Sequence, residues 1–126
     1  MNFLAIGLAL LLALGIIAIG TQYILTPTAA TRSFGLPLPE SGANTPWWLR
    51  LKGVRDIAAG LTVLALLACD TPRAAGIILI AEAAIPVGDM LLVLAAKGSA
   101  GKAFGMHGVT ALVMVLTGTA LVMGVH

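Results

Sequence analysis

Four long apolar stretches, separated by polar or proline-rich connections, account for most of the chain. They cover about residues 3–24, 47–69, 75–96 and 103–125. Each has close to the ~20 residues that an α-helix needs to cross the hydrocarbon core of a bilayer. Because lipid offers the backbone no hydrogen-bonding partner, stretches of this kind form helices. The pattern predicts an all-α fold, an integral membrane four-helix bundle in which residues 1–126 form a single domain.

The connections between the stretches predict how the helices are arranged. Residues 26–46 contain four prolines and two glycines, which exclude a regular helix. The other two connections, "DTPR" at residues 70–73 and "KGSAGK" at residues 97–102, are short turns, so the last three helices are expected to be antiparallel neighbours. The first stretch is expected to remain in the protein, because it has no basic region before it and no small-residue cleavage site after it.

Composition supports a membrane location and narrows the chemistry. The 126 residues are 60% hydrophobic and 10% charged, whereas soluble domains carry about a quarter charged residues. The net charge of +2 is small, and aromatic and basic residues do not alternate as in single-strand binders, so no nucleic-acid partner is expected. The single cysteine, Cys69, excludes an intramolecular disulfide and a thiol-based metal cluster. We expect neither a metal nor a cofactor.

Ionisable and polar residues nevertheless occur within the apolar stretches, at a similar depth. Arg55 and Asp56, for example, lie roughly 12 Å past Trp47 at a rise of 1.5 Å per helical residue. A charge in lipid costs at least ~2.5–3.5 kcal/mol, so these side chains should face the interior of the bundle and find partners there. The predicted layer of polar side chains comprises Gln22, Tyr23, Arg55, Asp56, Glu82, Asp89 and His107.

Proline should open space at this layer. Pro86 has no amide hydrogen, so the carbonyl of Glu82 loses its helical partner and a kink is expected there. The kink falls between Glu82 and Asp89, which are seven positions apart and therefore share a helix face.

One hypothesis is a pocket that binds a lipophilic small molecule, with acid–base catalysis inside it. Asp56 and Asp89 would act as the acid and the base, and Arg55 would set their protonation states. Such a set has chemical sense for epoxide hydrolysis or for isomerisation of a double bond, without a cofactor. The remaining residues of the layer would bind the ligand: Gln22, Tyr23, Glu82 and His107.

The alternative hypothesis is a non-catalytic accessory or transport subunit. Arg55, paired with Asp56 or Asp89, would then be a buried ion pair that fixes the register of the helices. Four short helices barely enclose a core, so association into a homodimer fits either hypothesis. The residues by themselves do not decide between the two.

Three segments resemble a known family. "WWLRLKGVRDIAAGLTVLAL" (47–66), "DTPRAAG" (70–76) and "IPVGDMLL" (85–92) are similar to the small four-helix membrane proteins grouped as domain of unknown function 4267. More distantly, the chain resembles the DoxX-like four-helix proteins. The resemblance covers nearly the whole chain and implies the fold and topology, but no established activity.

The charges of the connections predict the orientation of the bundle. Basic residues concentrate in the connections that would lie on one side of the membrane, while Arg73 alone lies in the connection on the other side. Basic connections remain in the cytoplasm, so both termini should be extracytoplasmic in a multi-pass protein of the cell membrane. The basic residues expected on the cytoplasmic side are Arg32, Arg50, Lys52, Lys97 and Lys102.

This orientation can be tested with topology reporters. After His126, a reporter that works only outside the cytoplasm should be active. Near Gly42, a reporter that works only in the cytoplasm should be active. The reverse pair of signals would overturn the orientation without changing the number of helices.

Overall fold

The computed structural model describes residues 2–124, and every regular element in that range is helical. The predicted all-α class is confirmed. The helices are α1 (Phe3–Leu25), α2 (Pro27–Ala30), α3 (Thr45–Ala68), α4 (Pro72–Glu82), α5 (Ala84–Ala95), α6 (Ala100–Lys102) and α7 (Val109–Met123), with a 3-10 turn at Thr31–Ser33 and a π-helical segment at Ala103–Gly108.

Three of the helical lengths are long and apolar enough to cross a membrane. They are Phe3–Leu25, Pro72–Ala95 and Ala100–Met123. Helix α3 has 24 residues and is equally long, but Arg50, Lys52, Arg55 and Asp56 lie in its first half. The structure therefore supports three membrane-crossing lengths where the sequence predicted four.

The outer surface of the helices is apolar, as expected of a protein in lipid. Leu4, Leu25 and Leu116 are 60–75% exposed, and many other large apolar side chains on α1, α5 and α7 also point outward. In water a continuous apolar surface of this kind would promote association. The chain thus fits a membrane protein.

Small residues allow the helices to pack in two close pairs. Gly20 of α1 meets Gly53 of α3, and Ala13 of α1 meets Gly60 of α3, so the two helices run antiparallel. A Cβ at Gly20 would lie 2.6 Å from the backbone oxygen of Gly53. The contact leaves no room for a side chain, as in the small-residue crossings of other membrane helices.

Helices α4 and α7 form the second pair in the same way. A Cβ at Gly76 would lie 2.6 Å from the backbone oxygen of Gly118. A Cβ at Gly118 would lie 2.6 Å from the backbone oxygen of Gly76. Leu79 and Leu121, from these two helices, join Val63 and small residues of α1 in the buried core. The core therefore connects the two pairs.

The third apolar stretch is interrupted where proline was predicted to disturb it. Helix α4 ends at Glu82 and α5 begins at Ala84, with a turn at Ala83 between them. Pro86 is buried just after this break. The two helices continue as one membrane-crossing length, so the interruption does not end the stretch.

The close pairs generate a prediction about stability. Gly118→Ala should destabilise the protein by about 1–3 kcal/mol, because the new methyl group would force α4 and α7 apart. Gly7→Ala is the matched control, since a Cβ at Gly7 meets nothing within 4 Å. The measurement is the thermal unfolding midpoint in detergent, followed by circular dichroism. Equal midpoints for the two variants would contradict the close pairing.

Candidate binding site

A cavity of about 400 Å³ lies between the two helix pairs. This volume is in the range of ~300–1,000 Å³ that small-molecule sites occupy. Most of its wall is apolar, with contributions from α1, α3, α4, α5 and α7. The larger apolar residues of the wall are Leu8, Leu11, Leu12, Ile16, Ile19, Val63, Leu79, Ile85, Met106, Val113 and Met114.

A set of polar and aromatic side chains in contact with one another occupies one region of the wall. We call this set the polar cluster. It comprises Tyr23, Phe34, Lys52, Asp56, Asp89 and His107, all of which line the cavity. These residues come from α1, the connection after the 3-10 turn, α3, α5 and the π-helical segment. Five separate parts of the chain thus meet at one place.

Lys52 and Asp56 form the ion pair of the cluster. Lys52 Nζ lies 2.5 Å from Asp56 Oδ2, and the two residues are one helical turn apart on α3. The Asp56 side chain is 9% exposed. The Lys52 ammonium also lies 4.4 Å from the centre of the Tyr23 ring and 5.3 Å from that of Phe34. One carboxylate and two ring faces therefore compensate the charge of this lysine.

His107 is oriented by the backbone of the preceding connection. Its Nε2 lies 2.8 Å from the carbonyl oxygen of Phe34. A carbonyl can only accept a hydrogen bond, so Nε2 must carry the proton and donate it. In the neutral imidazole, Nδ1 is then left as an acceptor. The rings of Phe34 and His107 pack with their centres 4.5 Å apart, which further restricts the imidazole.

Asp89 faces the free nitrogen of that imidazole. Its Oδ2 lies 3.9 Å from His107 Nδ1, too far for a direct hydrogen bond. Two acceptors therefore face each other across the cluster while His107 is neutral. A proton on the imidazole, or a donor group between the two atoms, would satisfy both.

The connection after α1 closes this end of the bundle and places Phe34. The Lys102 ammonium donates to the carbonyl of Arg32 at 3.0 Å, and the Ser99 amide donates to the carbonyl of Gly35 at 2.8 Å. Gly35 has φ +107°, a backbone conformation that only glycine adopts readily. The connection is thus held against the start of the last helical stretch.

His107 lies in a π-helical segment. The six residues Ala103–Gly108 form this wider turn before α7 begins. Single π-helical turns inside helices frequently occur at functional sites. Apolar periodicity carried no signal of the segment, because the sequence here is compatible with an ordinary helix.

Comparison with known proteins gives the family of the chain. The model of the family "Domain of unknown function (DUF4267)" matches residues 13–121. The chain belongs to the DUF4267 family. No curated protein and no solved structure matches it, and the more distant likeness to DoxX-like proteins is not shown. The matched range includes every residue of the polar cluster in this DUF4267 protein.

Six of the seven side chains predicted for the polar layer line the cavity. Gln22 and Glu82 are in the wall beside the members of the polar cluster. The exception is Arg55, which is exposed and absent from the wall. Consecutive residues of a helix point about 100° apart, so Arg55 and Asp56 cannot both face the cavity centre.

Lys52 takes the place in the site that the sequence reasoning gave to Arg55. Within residues 2–124 Lys52 pairs with Asp56, His107 lies 3.9 Å from Asp89, and Arg55 pairs with neither Asp56 nor Asp89. The charge pattern of the connections instead predicts Lys52 at the cytoplasmic surface. Its spacing of four from Asp56, typical of an ion pair on a helix face, was the signal that could have identified it.

The sequence pattern does not indicate Phe34 either, because this residue acts through a backbone carbonyl in a proline-rich connection.

The groups of the cluster can exchange protons and compensate charge. In the part of the chain that the structure describes, no group of three or more His, Cys, Asp or Glu side chains could hold a metal ion.

Double-mutant cycles can distinguish a Lys52–Asp56 pair from an Arg55–Asp89 pair. Lys52→Met and Asp56→Asn should be coupled by ~0.5–3 kcal/mol, the range for residues in contact. Arg55→Met and Asp89→Asn should be additive within ~0.5 kcal/mol. Both cycles use the free energy of unfolding in detergent. Strong coupling of Arg55 with Asp89, and none between Lys52 and Asp56, would contradict this arrangement.

Proposed function

We propose that this DUF4267 protein binds a lipophilic small molecule in the cavity between its helix pairs. The observation that carries the proposal is a mainly apolar cavity of about 400 Å³ that meets ionisable side chains in one region. Ligand sites commonly combine apolar walls with a few convergent polar groups. The apolar part of the ligand would lie along α1 and α7, and its polar group would reach the polar cluster.

We propose that the site lies within a bilayer and that α3 is a fourth membrane span. Helix α3 packs antiparallel along α1 through Gly20, Gly53 and Gly60, and its second half, residues 57–68, contains no charge. Its charges lie in the first half, where Arg50 donates to the carbonyl of Ile24 and contacts Trp47. We propose that this end faces the cytoplasm of the cell and that both termini lie outside, as the positive-inside rule favours.

Side chains in the cavity wall favour entry from the lipid. Ile19, Ile85 and Met106 line the cavity and are still 44–49% exposed. They come from α1, α5 and the π-helical segment, so the cavity is open sideways between these elements. A lipophilic ligand could enter through this opening without passing through water.

Acid–base chemistry on the ligand is the second candidate function. It is favoured by the facing positions of Asp89 and His107, since carboxylate and imidazole groups are common general acids and bases. Proton transfer for isomerising a double bond needs only such a pair. Epoxide hydrolysis by Asp56, Arg55 and Asp89 is less favoured, because Arg55 is outside the cavity and Lys52 holds Asp56.

Filling the cavity tests the binding proposal. Gly15 lines the cavity, and a Cβ there meets nothing within 4 Å. Gly15→Leu should therefore fold and place its side chain in the ligand space. Gly7→Leu is the matched control, because Gly7 is on the same helix with equal room but outside the cavity wall. The probe is a photoactivatable dodecanol in lipid nanodiscs, with labelled residues mapped by mass spectrometry.

The expected result is labelling of cavity residues such as Val63 and Met114 in the wild type and in Gly7→Leu, with a loss of about tenfold or more in Gly15→Leu, as full exclusion of an apolar group predicts. Outward-facing residues such as Leu116 should be labelled equally in all three proteins. Equal labelling of Val63 and Met114 in all three would contradict a binding cavity and favour the accessory-subunit hypothesis, with structural ion pairs only.

A further inference from the structure

We infer that the polar group of the ligand is a primary ammonium, and that the cavity is a site for lipophilic primary amines. This inference rests on the proposed function and deepens it by naming the chemical class of the ligand. Three properties of the cavity wall carry it: its balance of charges, its arrangement of hydrogen-bond acceptors and its aromatic faces.

The ionisable side chains of the wall are mostly acidic. Asp56, Asp89 and Glu82 line the cavity, and Lys52 is the one Lys or Arg that lines it among residues 2–124. Asp56 already compensates Lys52 at 2.5 Å. Asp89 and Glu82 have no Lys or Arg within 4 Å in the described part of the chain. A cationic group would compensate one of these two acids, whereas a carboxylate would add a further like charge.

The acceptors of the cluster are arranged for a group with more than one hydrogen to donate. Asp89 Oδ2 and His107 Nδ1 face each other at 3.9 Å, and the bond from Nε2 to the Phe34 carbonyl leaves Nδ1 as an acceptor. One donor atom beside this pair could bond to both. An ammonium carries three such hydrogens, while a hydroxyl carries one.

Tyr23 can contribute a further acceptor. The residue lines the cavity, and the centre of its ring lies 4.4 Å from the Lys52 ammonium. A Tyr hydroxyl can accept a hydrogen bond as well as donate one, so Tyr23 could accept the third hydrogen of an ammonium.

Lys52 shows that the cluster accommodates an ammonium. The Lys52 ammonium is bound by the Asp56 carboxylate and two aromatic rings, at 4.4 Å and 5.3 Å from their centres. Ring faces attract cations, and the attraction increases when water is excluded. Asp89 offers a second carboxylate in the same cavity wall, 3.9 Å from the imidazole that packs on Phe34, so a ligand ammonium there would also meet a carboxylate near aromatic groups.

A series of probes with one alkyl chain and different polar groups tests the inference. The probes are dodecylamine, dodecanol, dodecanoate and dodecyltrimethylammonium. Binding to the full-length protein in lipid nanodiscs is measured by isothermal titration calorimetry, with empty nanodiscs to subtract partitioning into the lipid. Dodecylamine should bind about tenfold or more tightly than each of the others, as expected for hydrogen bonds to charged groups.

The comparisons within the series separate charge from hydrogen bonding. Dodecyltrimethylammonium carries the charge but has no hydrogen to donate, so binding as tight as that of dodecylamine would overturn the bridging arrangement. Equal or tighter binding of dodecanol or dodecanoate would overturn the amine class and leave the proposed binding function standing. Failure of all four probes to exceed the empty nanodiscs would overturn the proposed function and this inference together.

Substitution of one carboxylate checks that the preference arises at the cluster. Asp89→Asn should lower the affinity for dodecylamine by about tenfold or more and leave that for dodecanol nearly unchanged. Asp70→Asn is the matched control, since Asp70 is an exposed acid in the turn after α3, outside the cavity wall. An equal affinity for dodecylamine in both variants would contradict the inference. The wild-type series does not depend on how well either variant folds.

Discussion

Close contact between helix backbones is the constraint on which the rest of the structure depends. In lipid, burial of apolar side chains does not by itself bring helices together, so packing at short range must do so. Gly20 against Gly53, and Gly76 against Gly118, provide that contact in the two pairs. Since each pair is tight along its own crossing, space remains between the pairs, and the cavity occupies it.

The polar cluster in that space depends on one backbone carbonyl outside the helices. The carbonyl of Phe34 accepts from His107 Nε2, which determines the tautomer and turns Nδ1 toward Asp89. Phe34 itself is held because Gly35 can adopt a positive φ and pair with Ser99. This proline-rich connection contributes no ionisable side chain to the site. Its backbone nevertheless determines which nitrogen of His107 faces Asp89.

The two aspartates of the polar cluster differ in how closely a basic group compensates their charge. Asp56 has Lys52 at 2.5 Å, whereas the basic group nearest to Asp89 among residues 2–124 is an imidazole at 3.9 Å. A carboxylate inside an apolar bundle is costly without a close basic partner. Asp89 is therefore the group with the most to gain from a bound cation or a shared proton, which connects the proposed ligand class with the candidate acid–base chemistry.

Much of this protein follows from its sequence alone, because the controlling forces act along one helix. Apolar length indicated the helices, and Pro86 marked the interruption that appears at Ala83. The cost of charge in lipid indicated that Asp56, Asp89 and His107 face inward. All three line the cavity in the structure. The choice of Lys52 over Arg55, and the orientation of His107 by Phe34, were decided only in the tertiary structure. The first depends on the rotation of α3 against α1, and the second on a connection whose path no periodic pattern describes.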